Sequence, residues 1–173
     1  MREPLWPRQP LPDYASAAGR VMLWAPATLA DLTAARLELG AALHSDVRPT
    51  ASDGDAGERL ALAFEELASN ALRHGRPPIR ISVTTTDRFW LLAVSDAAGA
   101  IAPSPPVDRD PALGGLGLYL VAQIAGAHGW AVEPGGRKTV WARIDFAPLV
   151  DPNRTSGPIP RPRGEGRDHD NSR

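Results

Sequence analysis

Hydrophobic and polar positions along the chain switch between two periods. VMLW at 21–24 is a short apolar run, read as a strand. Thr28 followed by Asp31 is a capping pair opening a helix whose apolar stripe runs Leu29, Leu32, Leu39, Leu43. A polar loop over 48–54 precedes a second helix, which starts after Asp55 with Glu58 three places on and continues to His74. Gly75 ends it, and Pro77 and Pro78 forbid continuation. Ile79, Ile81 and Val83 then alternate with Arg80, Ser82 and Thr84, and TTDR turns the chain into FWLLAVSD, the second strand of a hairpin. A proline-rich loop spans 97–113, long enough for a compact domain that a functional role is expected. GGLGLYLVAQIAGAHG is a glycine-opened helix closing at Gly129, and WAVEP, a PGGRK turn and TVWARIDF form a last hairpin. The order β-α-α-ββ-α-ββ predicts an α+β fold, a two-layer sandwich with a mixed, mostly antiparallel sheet covered by about three helices.

The ends lack this patterning. Residues 1–18 are rich in proline, and 147–173 combine proline, glycine and charge with almost nothing apolar, so both are expected to be disordered tails around one domain at 19–146. The 173 residues suffice for one sizeable core. With 43% hydrophobic residues and a net charge of −1, neither a disordered chain nor a direct nucleic-acid binder is favoured. The absence of cysteine excludes disulfides and thiolate zinc sites. No signal-peptide core or bilayer-length apolar run is present, so no membrane association and a cytoplasmic location are expected.

Candidate chemistry begins at EELASNALRHG, residues 65–75. At about 100° per residue, Leu60, Phe64, Leu67 and Ala71 cluster as the core stripe, and Glu66 and Asn70 fall together on its flank. Glu65 points toward solvent. Such a pair is ordinarily a surface contact worth a few tenths of a kcal/mol. Asp96 brings a carboxylate to a strand end, where a turn residue is the ordinary reading, and GGLG at 114–117 opens a helix with N–H groups suited to an anion, or else serves as a hinge. Neither a Walker A loop nor a dinucleotide fingerprint fits.

In this order and at these separations, ELASNALRHG, VSDAAG, GGLGLYLV and GGRKTVW resemble the histidine-kinase-like ATPase superfamily, also called GHKL, and within it the stand-alone anti-sigma factor serine/threonine kinase group. The resemblance covers about residues 20–146. It implies ATP and Mg²⁺ as cofactors. By the same resemblance Asn70 matches the metal ligand, and Glu66 the residue that acts as general base or orients the attacking hydroxyl. Asp96 matches the acceptor of the adenine amino group, and Thr139 a threonine near the adenine end. Gly115, Leu116 and Gly117 match the second glycine box that meets the phosphates, and 99–113 match the ATP lid, with Arg109 as a phosphate contact or a solvated charge. Arg73 and His74 complete the N-box pattern, His74 equally as a helix-end residue. The family's DxGxG is altered, since Asp96 is followed here by Ala97, Ala98 and Gly99.

The implied function is an ATP-dependent serine/threonine protein kinase acting on an anti-anti-sigma factor, with a sigma factor as a second protein partner. The altered Asp96 loop favours an alternative, an ATP-responsive partner-binding module without phosphotransfer. A detached sensor histidine kinase half fits less well, because no helical hairpin with a phosphoacceptor histidine precedes the domain. Sigma-regulating relatives commonly dimerise through the N-terminal layer, which leaves a homodimer open.

Overall fold

The structure, a computed structural model, describes residues 4–13, 19–45, 54–99, 101–103 and 116–146. Its elements run β1 (Val21–Trp24), α1 (Leu29–Leu43), α2 (Gly54–His74), β2 (Arg80–Thr85), β3 (Phe89–Asp96), α3 (Gly117–Ile124), β4 (Ala127–Val132) and β5 (Lys138–Asp145). The strands form a single sheet in the order β1-β2-β3-β5-β4, and each pairing is antiparallel. This is the α+β sandwich expected from the patterning.

Strand alternation divides the sheet's two faces. Ile81, Val83, Trp90, Leu92, Val94, Val140, Ala142 and Ile144 bury against α2 and α3. Leu60, Phe64, Leu67 and Ala71 of α2 meet them as the predicted stripe, and Trp24 packs edge-on to Phe64 with ring centroids 5.3 Å apart. On the other face Leu91, Ala93 and Trp141 make a smaller cluster with Leu11, Phe89 and Ala127.

The first helix is capped as the sequence predicts. Asp31 N–H donates to Thr28 Oγ1 at 3.2 Å, and Thr28 N–H donates to the Asp31 carboxylate at 2.9 Å. Its buried stripe, however, is Leu32, Ala35 and Leu39, while Leu29 is exposed. Glu65 does not simply face water, because Arg36 of α1 meets its carboxylate at 2.9 Å.

Two further expectations are corrected. The third helix stops at Ile124, not Gly129, because Ala127, His128 and Gly129 pair with Arg143, Ala142 and Trp141 of β5. Gly126 allows the switch: a Cβ there would collide with the Asp145 carboxylate. The N-terminal stretch is also not wholly a tail. Trp6 is 2% exposed within the main core, its indole N–H donates to Leu118 O, and Gln9 N–H donates to Trp130 O at 2.9 Å along the β4 edge. Burial of a large aromatic ring outweighs the chain's local proline content. The C-terminal tail, residues 147–173, lies outside the described residues.

Candidate functional site

The site lies where the last turns of α2 face the end of β3 and the start of α3. Helical spacing sets Glu66 and Asn70 one turn apart, both half-buried on the flank of the core stripe. Asn70 helps line a cavity of about 20 Å³ shared with Leu67, Ala71, His74, Gly75, Val94, Asp96, Lys138 and Val140. Such a space holds about one water molecule. Glu66 sits one turn back, against the first residue of α3. A Cβ added to Gly117 would collide with the Glu66 carboxylate, so a side chain there would displace Glu66 from its present position.

Asp96 ends β3 on the core face and is 1% exposed. Ala98 N–H donates to its Oδ1 at 2.6 Å, closing a tight turn, and Gly99 leaves that turn with φ of 63°. The one glycine of this turn thus stands at the position with a left-handed backbone. The second carboxylate oxygen, Oδ2, lies 3.2 Å from Lys138 Nζ. Helix α2 closes over this pair: a Cβ at Gly75 would approach Ala71 O to 2.5 Å and Asp96 Oδ2 to 3.0 Å.

The structure thus brings Glu66, Asn70, His74, Asp96 and Gly117 to one end of the helical layer. Arg73, in contrast, is exposed on the last turn of α2 and does not line the cavity. Leu116 caps α3 with its own side chain 48% exposed. Gly115, Arg109 and most of the lid lie outside the described residues.

Thr139 is a correction. It pairs with Ser95 and faces the opposite side of the sheet, where its hydroxyl donates to Glu133 and it lines a groove of about 600 Å³ with Ser95 and Arg137. The residue opposite Asp96 is Lys138. Strand alternation carried the signal: with Val140, Ala142 and Ile144 on the core face, position 138 shares their face and position 139 cannot.

The donor set fits a magnesium nucleotide at its phosphate end and not at its base end. The Asn70 side-chain amide makes no hydrogen bond among the described residues, leaving its oxygen available to a hard cation. No cluster of three or more His, Asp or Glu side chains among the described residues could hold a metal ion. At the base end, Lys138 covers Asp96 and the remaining cavity is too small for a purine. Among the described residues no helix is long and apolar enough to cross a membrane.

Solved structures and one family profile match this chain. A chain in the crystal structure of the SiaB–SiaC complex from Pseudomonas aeruginosa superposes with a TM-score of 0.48 at 15% identity, covering 76% of this chain and 93% of that one. The Acinetobacter baumannii histidine kinase AdeS superposes with a TM-score of 0.40 at 17% identity, covering 73% of this chain and 68% of its own. No curated protein gives a significant match. The profile of the histidine kinase-like ATPase domain matches residues 25–144, an interval that begins just after β1 and contains all three helices, β2 to β4, all of β5 but its last residue and the whole candidate site, and the chain belongs to that family.

Proposed function

We propose that this protein is a cytoplasmic Mg-ATP-dependent serine/threonine kinase of the anti-sigma factor type, which phosphorylates an anti-anti-sigma protein and binds a sigma factor in its free state. The carrying observation is the pairing of Glu66 with Asn70 on one wall of α2, beside the glycine that opens α3. Phosphoryl transfer demands mainly positioning, charge neutralisation and a base near the acceptor hydroxyl. Bound Mg²⁺ would supply the neutralisation. Asn70 offers one ligand to it, Glu66 can take the proton of a partner's serine or threonine hydroxyl, and the closeness of Gly117 to Glu66 holds that carboxylate at the phosphate end.

Calorimetric titration with ATP, with and without Mg²⁺, tests the reading. Moderate Mg²⁺-dependent binding is expected in the native protein, and Asn70→Ala should lose the Mg²⁺ dependence. Glu66→Ala should bind ATP nearly as well and lose transfer to the cognate partner by about two to four orders of magnitude. Equal loss of binding and transfer in Glu66→Ala would remove the base assignment. A second reading, a nucleotide-responsive binding module without transfer, is favoured by the Lys138–Asp96 pair at the base end. It expects ATP and ADP to change complex formation while no partner residue becomes labelled.

A further inference from the structure

Lysine is seldom buried unless its charge is paired. The Lys138 side chain is only 10% exposed, that of Asp96 2%, and the two charges face each other at 3.2 Å where β3 and β5 run in register. The other Asp96 oxygen is engaged by Ala98 N–H, so neither oxygen is left without a donor. Beneath them lies the cavity of about 20 Å³, bounded by Asn70 and His74 from α2. An adenine amino group is also a hydrogen-bond donor, so it competes with the lysine ammonium for the same carboxylate and for the same space.

We propose that Lys138 is a latch on the base end of the nucleotide site: in the latched state its ammonium occupies Asp96 and closes the pocket, and a nucleotide base enters only when that side chain swings out. This inference rests on the nucleotide-binding reading above and adds its control. The lysine stem suits such a role, being four carbons long and flexible, with a strongly hydrated head that is stable once it reaches water. The adjoining turn carries Gly135 and Gly136 at φ of 94° and 82°, with no atom within 4 Å of where their Cβ atoms would stand, so the chain entering β5 has free space beside it. A site competent for only a fraction of the time binds with an affinity reduced by that fraction. A latch closed between about 90 and 99% of the time therefore weakens apparent ATP affinity about 10- to 100-fold.

The test is calorimetric titration of Mg-ATP into the full chain and three variants. Lys138→Thr removes both charge and bulk and is expected to bind about 10- to 100-fold more tightly than the native protein. Lys138→Met keeps the length without the charge, is expected to gain at least a few-fold, and replaces Lys138→Thr as the readout should that variant fail to fold. Lys138→Arg keeps the ion pair and is expected to gain nothing. Native binding as tight as, or tighter than, that of both neutral variants overturns the latch and leaves the nucleotide reading intact. An equal gain in Lys138→Arg also overturns it. Absence of ATP binding in the native protein and in both neutral variants removes the latch and the nucleotide reading together.

Discussion

The Glu66 carboxylate lies directly over the Cα of Gly117, in space that a side chain on Gly117 would require. This contact ties the proposed base on α2 to the opening turn of α3. Gly117→Ala should therefore push the half-buried Glu66 side chain aside and destabilise the domain by about 1 kcal/mol, because the methyl group takes the space its carboxylate fills. In a Glu66→Ala background the same change should be neutral or favourable, since alanine is the better helix former by about 0.8–1 kcal/mol. Urea unfolding of the two single variants and the double variant measures the coupling; equal cost in both backgrounds would show that the crowding lies elsewhere.

Trp6 joins a segment outside the main pattern to the helical layer. Its ring packs edge-on to His128 with centroids 4.8 Å apart, and its indole N–H reaches Leu118 O at 3.2 Å. Trp6→Ala should lower stability by about 3–5 kcal/mol, the usual range for emptying a core site of this size. Because Trp130 N–H donates to Pro7 O at 3.1 Å, hydrogen exchange of the Trp130 amide should accelerate in the same variant. Unchanged exchange would mean that the segment holds the β4 edge without its tryptophan anchor.

Asp31 gives a pH dependence with a definite sign. Hydrogen bonds from the Ala27 N–H, and then from Thr28, hold its carboxyl below the usual carboxylate range. A folded-state value below the unfolded one means a contribution fully present above the ordinary carboxylate pKa of about 3.9, lost as pH falls through the lowered folded value. Asp31→Asn should thus be less stable than the native chain near neutral pH, and the gap should close on acidification in chemical unfolding followed by circular dichroism. A gap that stays constant down to pH 2 would assign the effect to the Thr28 side of the cap alone.

Much of this architecture is set by local pattern. Period-2 alternation in 79–84 and 138–145 and the helical stripe Leu60, Phe64, Leu67 and Ala71 fix which side of each element is buried, because a half-buried strand or helix has one apolar face. That same geometry sets Glu66 and Asn70 together on the flank of α2, since helical spacing depends on nothing beyond the helix itself. The sequence also determined the Thr28–Asp31 cap, whose partners are three residues apart. What local pattern could not decide is which distant segments meet. AHG after Ile124 has no strand signature and becomes β4 only because β5 offers its free edge, and a proline-rich start enters the core only because a space for Trp6 exists beside α3 and β4. The same holds at the site: a lysine and an aspartate 42 positions apart become neighbours through the register of β3 on β5, and that pairing sets Lys138, not Thr139, opposite Asp96. Spacing fixes the face of an element, while strand register, a property of the assembled sheet, fixes what that face confronts.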